Sequence, residues 1–210
     1  MATHPDAILQ EWWEKFWRDD IYFDPEGLFL QLASQFKNNE PCKHLSIANG
    51  TFHVCIAVEF EDHTKWMIRL PLPGRVLDMH KHTEREIATI QYLQSRTRIP
   101  TPKIIGYGYG SKASDTLGPF IITELLEGLS LEERMSQHTF DERAQAKIYQ
   151  QMAWIILELS STTIEGSGII EHDVLGQPCV ASAQWTRTAH EAQRNHSVTL
   201  NGMYSLLLAL

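Results

Sequence analysis

The alternation between Val54 and Leu70 constrains this chain more than any other feature. Val54, Ile56, Val58 and Phe60 point one way, and Cys55, Ala57 and Glu59 the other, which is the period of a strand with one apolar face. The polar run Glu61-Asp62-His63-Thr64 reads as a hairpin turn. The return strand places Trp66, Ile68 and Leu70 on one face and Met67 and Arg69 on the opposite one. Pro71-Leu72-Pro73-Gly74 closes it and begins a loop.

The flanking segments extend this hairpin. Before it, a strand from Leu45 runs into a tight turn at Asn49-Gly50-Thr51. After it, Met79 to Ser95 is helical by pattern, with Met79, Thr83, Ile87, Ile90 and Leu93 on one face. Thr97 to Pro102 cannot be helix, because each proline pushes its predecessor to extended geometry. A strand from Lys103 to Tyr109, a loop from Gly110 to Leu117 and an apolar strand from Pro119 to Thr123 complete the set. From Leu45 to Glu127 this is the order of a nucleotide-binding half-domain.

Glu86 is the anomaly within it. Ile90 and Leu93 lie four and seven residues further on, so a carboxylate shares their apolar stripe. Left unpaired there, it costs several kcal/mol. Arg69, on the opposite face of its strand from Trp66, is the expected cation. Glu84 and Arg85 read as a solvated charge run with i,i+4 pairing.

Towards the N-terminus, Asp6 is a suitable cap for a helix expected to reach about Arg18, with Ile8, Trp12, Trp13, Phe16 and Trp17 as a packing stripe. A second helix is expected from Asp24-Pro25-Glu26, with Leu28, Leu32 and Phe36 on one side. Beyond Glu127, Ser130 caps a short helix and Asp141 opens a long one to about Ser160. The stripe Ile148, Met152, Ile155, Ile156 and Leu159 marks the long one as a core helix. After Thr163 the text is loop-like, with Gly166, Gly168 and Gly176-Gln177-Pro178, then a short helix at Ala189 to Asn195. The boundaries follow: 1–41 an N-terminal helical segment, 42–128 the strand-and-helix lobe, and 129–210 a helical remainder.

Composition narrows the function classes. A formal net charge of −8 argues against nucleic acid or an anionic membrane as the main partner, since both need a basic face. Three widely spaced cysteines form no CxxC pair, so a disulfide framework is not expected and a reducing compartment is. Of ten histidines only His80 and His82 stand close together, and nothing near them in sequence completes a zinc set, so no metal site is expected. The N-terminus carries no secretory pattern and no apolar run is long enough to span a bilayer, so the expected location is cytoplasmic.

The ordered set of segments resembles the aminoglycoside phosphotransferase and choline-kinase-like group of protein-kinase-like folds, most closely its large fungal branch. The resembling residues are His44 to His53, Lys65 to Pro71, Glu86 to Leu93, Thr97 to Pro102, and Gly118 to Glu124 with Gly128. The resemblance implies an α+β fold. Its N-lobe is an antiparallel sheet plus a long helix, preceded by the N-terminal helices and followed by an incomplete helical C-lobe.

It also implies roles and a ligand, ATP. The turn at Asn49, Gly50, Thr51 and Phe52 would lie over the phosphates, with backbone N–H groups close to them, although Gly50 is its only glycine. Arg69 takes the place of the strand cation on the α- and β-phosphates, where most kinase-like folds have Lys; Arg keeps the charge with a different donor geometry. Glu86 matches the helix carboxylate that pairs with it. Thr123, Glu124 and Leu125 match the inter-lobe hinge, whose backbone would meet the adenine edge.

Phosphoryl transfer further needs a catalytic Asp, and an Asn and Asp for magnesium. After the hinge, Glu171-His172-Asp173 is the only His-Asp text; it lacks the His-x-Asp spacing, and no Asn or second Asp follows suitably. No catalytic residue is therefore assigned, and magnesium is not expected to be held by this chain alone. Two readings remain: the N-terminal part of a small-molecule kinase that ends before its catalytic loop, or a non-catalytic pseudokinase-like module that binds a nucleotide or a protein partner.

Overall fold

A computed structural model describes residues 6–8, 10–11, 17–18, 22–23, 27–76, 78–109, 117–137, 141–162 and 168–182. The chain divides into two compact units, one of Met1–Ile87 with Pro102–Leu125, the other of Ala88–Thr101 with Leu126–Leu210.

The first unit is built on a five-stranded antiparallel sheet. Its strands are β3 (Cys42–Asn49), β4 (His53–Phe60), β5 (Lys65–Pro71), β6 (Ile104–Gly108) and β7 (Phe120–Glu124), in the spatial order β3-β4-β5-β7-β6. The alternation read from the sequence sets its two faces. Val54, Ile56, Val58 and Phe60 of β4 join Trp66, Ile68 and Leu70 of β5 and Phe120 and Ile122 of β7 in one buried cluster. Helix α1 (Leu28–Phe36) closes that cluster with Phe29, Leu32 and Ala33. Each large apolar side chain buried in this way contributes roughly 1.5–3 kcal/mol. The opposite face carries His53, Cys55 and Ala57 of β4 and Arg69 and Met67 of β5, with Cys55 opposite Arg69 and Ala57 opposite Met67. In β7 Ile121 lies opposite Arg69 and Thr123 opposite Met67.

The β4–β5 connection is a tight turn. His63 takes the left-handed conformation at φ 63, and Asp62 Oδ1 accepts from the Thr64 N–H at 3.0 Å, fixing the β4–β5 turn. Lys37 Nζ lies 2.6 Å from Asp62 Oδ2 and ties the end of α1 to that turn. The β3–β4 register shifts between His44 and Ser46, leaving Leu45 as the extra, exposed residue of a bulge. A second shift between Ile104 and Gly106 brings Gly106 under the Phe36 ring, and a Cβ there would lie 2.2 Å from Phe36 Cε1.

The expected α1 stripe is Leu28, Leu32 and Phe36; the buried one is Phe29, Leu32 and Ala33, with Phe36 40% exposed. The helix starts at Leu28, capped by Gly27 at φ 67, past the expected start at Pro25. The expected first helix is also shorter. Residues 6–8 and 10–11 are helical, but β1 (Trp17–Arg18) pairs with β2 (Tyr22–Phe23) as a two-stranded ribbon. Asp6 lies inside the helical run and reaches Arg75 Nη2 at 3.2 Å.

Helix α2 (Met79–Arg96) ends where the sequence requires, before the two prolines of 97–102. Residues Ala88–Thr101 group with the second unit, so the range expected as one lobe divides within α2. The second unit adds α3 (Leu131–Gln137) and α4 (Glu142–Ser161). Both carry the expected caps: Ser130 Oγ accepts from the Glu133 N–H at 3.1 Å and Asp141 Oδ1 from the Ala144 N–H at 2.7 Å. The Arg98 guanidinium and its backbone N–H grip Glu158 of α4 at 2.6–3.1 Å.

Two expectations for this unit are corrected. Of the α4 stripe only Ile155 is buried; Met152 is 48% and Ile156 62% exposed. An apolar stripe becomes core only where another layer covers it, and among the described residues no such layer buries Met152 or Ile156. The text after Thr163 is also not simply loop. Strands β8 (Gly168–His172) and β9 (Pro178–Ser182) form an antiparallel hairpin, closed by Asp173 Oδ1 accepting from the Leu175 and Gln177 N–H groups. The remainder is thus not wholly helical. The expected helix at Ala189 to Asn195 lies outside the described residues. No described helix is long and apolar enough to cross a membrane.

Candidate functional site

The site gathers where β4 begins, on the sheet face turned away from the α1 core. The turn before β4 is tight: the Gly50 N–H donates to His53 O at 2.8 Å, and a Cβ on Gly50 would lie 3.2 Å from that same oxygen. The Leu72 N–H donates to Phe52 O at 2.8 Å, pinning the turn to the segment after β5. Asn49 closes β3 opposite Val54, and Thr51 is exposed.

Strand period then does the positioning. His53 and Cys55, two residues apart, share a face, and Arg69 lies in register beside Cys55. Helix period brings the other half, since His82 and Glu86 are four residues apart on α2. Arg69 Nη2 lies 2.7 Å from Glu86 Oε1, and His53 Nε2 lies 3.3 Å from Glu86 Oε2. The two carboxylate oxygens therefore serve different partners. His53 Nε2 is also 3.2 Å from His82 Nε2, with the ring centroids 5.1 Å apart.

Burial sharpens the electrostatics. The side chains of Arg69 and Glu86 are 18% and 13% exposed. Burial alone pushes the Glu86 carboxyl up, but the hydrogen bond from His53 and the charge of Arg69 outweigh it and hold the group at about 2. Burial lowers His82 below the ordinary histidine value, as does the neighbouring His53. Burial raises the Cys55 thiol, opposed by the charge of Arg69 and a hydrogen bond to it.

The expected Arg69–Glu86 pair is thus in place, 2.7 Å apart. No known protein-family model and no curated protein matches the chain. The geometry alone speaks for the site.

Asn49, Gly50, Thr51 and Phe52 belong to the turn at the Pro71 end of β5, where His53 pairs with Pro71. Thr123, Glu124 and Leu125 belong to the other end, where Glu124 pairs with Trp66. Five residue steps along β5, from Trp66 to Pro71, separate the two ends, roughly 17 Å. Arg69 lies between them. Thr123 is buried. The Glu124 N–H donates to Lys103 O and the Leu125 N–H to Lys65 O, both at 3.0 Å. Those two donors are used inside the sheet and are not free for a ligand.

Sequence reasoning misses His53 and His82 as site residues. It places His53 only at the end of the turn, and His82 only beside His80. The signal lies in the same periods that locate the ion pair. His53 has the parity of Cys55, hence of Arg69 across the hairpin, and His82 is one helical turn before Glu86. Glu171-His172-Asp173, not assigned as a catalytic loop, ends β8 and starts its turn. There His172 Nε2 meets Gln91 Oε1 at 2.7 Å.

Proposed function

We propose that residues 42–128 form a kinase-like N-lobe of the aminoglycoside phosphotransferase and choline-kinase-like kind, and that it holds ATP without transferring its phosphate. The observation that carries this reading is the Arg69 Nη2–Glu86 Oε1 contact at 2.7 Å. A cation on the third strand of the sheet, paired with a carboxylate on the next helix, is the arrangement by which protein kinases order a cation on the nucleotide phosphates. The strand order around it supports the reading. A hairpin turn precedes the cation strand, and the cation strand pairs with β7, which leads into Leu125.

The face around Arg69 divides along its length. His53, Arg69 and Glu86 make a polar end, while Ala57, Met67, Ile121 and Thr123 continue the same face with less polarity. Phosphates suit the first and a base plane the second. In this reading the adenine edge is met by groups other than the Glu124 and Leu125 N–H donors. No turnover is expected of residues 1–210 by themselves, since 125–210 contain no His-x-Asp.

Differential scanning fluorimetry of the purified chain with and without ATP, beside a phosphate-release assay, tests both parts. The expected result is a melting temperature that rises with ATP and no turnover. Arg69→Ala should lose the ATP response at least as completely as Glu86→Ala. An equal response in all three proteins would overturn the assignment of the ion pair.

A further inference from the structure

The three side chains that converge beside the ion pair do more than a phosphate site needs. Two imidazoles aim their Nε2 atoms at each other, 3.2 Å apart, and one of them also faces a carboxylate oxygen at 3.3 Å. We infer that His53, His82 and Glu86 form a binding site for a divalent transition-metal ion, Zn2+ in particular, with His53 Nε2, His82 Nε2 and Glu86 Oε2 as ligands.

Distance is the first support. Zinc bonds to His nitrogen at about 2.0–2.1 Å and to carboxylate oxygen at about 2.0–2.2 Å, so ligand atoms around a tetrahedral ion stand roughly 3.3–3.4 Å apart. The two measured edges are 3.2 and 3.3 Å, and the three ligand atoms all lie within 4.8 Å of one another. Ligand type is the second. Two imidazoles and one carboxylate suit zinc and its transition-metal neighbours, whereas Mg2+ and Ca2+ favour all-oxygen sets.

The third support is the partner of the carboxylate. Arg69 Nη2 holds Glu86 Oε1 at 2.7 Å and leaves Oε2 to the histidines. A ligating carboxylate fixed through its other oxygen is the usual outer arrangement of a metal site. It also tempers the arginine charge beside a cation. Three protein ligands leave a fourth position open to a small exogenous ligand. The competing account is a hydrogen-bonded trio, in which one imidazole proton is shared with a second imidazole and the carboxylate. It requires neither tetrahedral edges nor metal affinity.

The inference does not rest on the nucleotide reading, and its test contains no nucleotide. The full chain, stripped with chelator and dialysed, is titrated with ZnCl2 by calorimetry and with CoCl2 by visible absorption. The expected result is one equivalent bound and a tetrahedral Co2+ spectrum. His82→Ala and His53→Ala should each weaken binding by more than the roughly 10–100-fold that loss of an outer-shell partner costs. His80→Ala, an exposed neighbour on α2, should bind like the unaltered chain. Imidazole NMR resonances of the unaltered chain supply a readout that no unfolded variant can blur: those of His53 and His82 should shift with Zn2+ and that of His80 should not. Absence of binding at micromolar metal overturns the site. So does a His82→Ala affinity equal to that of His80→Ala, or a Zn2+ shift at His80 without one at His53 and His82.

Discussion

Glu86 is where the energetics of the first unit concentrate. Its carboxylate is largely buried and held on one oxygen by Arg69 at 2.7 Å and on the other by His53 at 3.3 Å. Removing Arg69 strands that charge, so Arg69→Ala should cost about 3 kcal/mol in urea unfolding. The Arg69→Ala, Glu86→Ala double variant should cost less than the sum of the two single ones, because the second change removes the stranded partner. The pH dependence has a definite sign. The folded carboxyl is held at about 2 against an ordinary 4.5, so the stability it contributes is complete above about 4.5 and lost as pH falls towards 2. Acid titration of the unaltered chain should show that loss, and Glu86→Gln should flatten it. The pair is legible in sequence, because a carboxylate on an apolar stripe demands a cation. The histidines share those periods but are harder to read, because an imidazole, unlike a carboxylate on an apolar stripe, demands no partner, and these two stand 29 residues apart. Only the tertiary fold makes them neighbours.

At the scale of elements, the alternating hairpin β4–β5, the long helix α2, the proline-rich break and both caps in the second unit are readable from period and capping chemistry. Each is decided by residues within a few positions of one another. The β1–β2 ribbon is not readable, since the aromatic stripe around Trp17 fits a helix equally well. The β8–β9 hairpin is hidden by its glycines, which read as loop. Gly168 in fact faces the partner strand, and a Cβ there would lie 2.5 Å from Ala181 O. Gly168→Ala should therefore open β8–β9, seen as faster amide exchange from Ile169 to Ala181, with the five-stranded sheet unaffected.

The whole molecule is a mixed α+β chain of two compact units. One has a sheet with a closed apolar core. The other bears a long helix whose Tyr149, Ile156 and Leu157 are 69%, 62% and 66% exposed. Apolar surface of that kind favours association. Leu157→Lys should leave unfolding free energy within about 0.5 kcal/mol while lowering light scattering and dye binding. Fold class is legible because strand and helix periods are local. The openness of α4 is not, because a sequence shows which face is apolar but not whether a second layer meets it. ATP-dependent stabilisation of the full chain tests nucleotide binding by the first unit most directly. At ATP 100-fold above Kd, binding adds about 2.7 kcal/mol, or roughly 5–10 °C for a chain of this size. Such a rise is expected in the unaltered chain and its loss in Arg69→Ala; no shift at millimolar ATP, or the same shift in both proteins, would contradict nucleotide binding at Arg69.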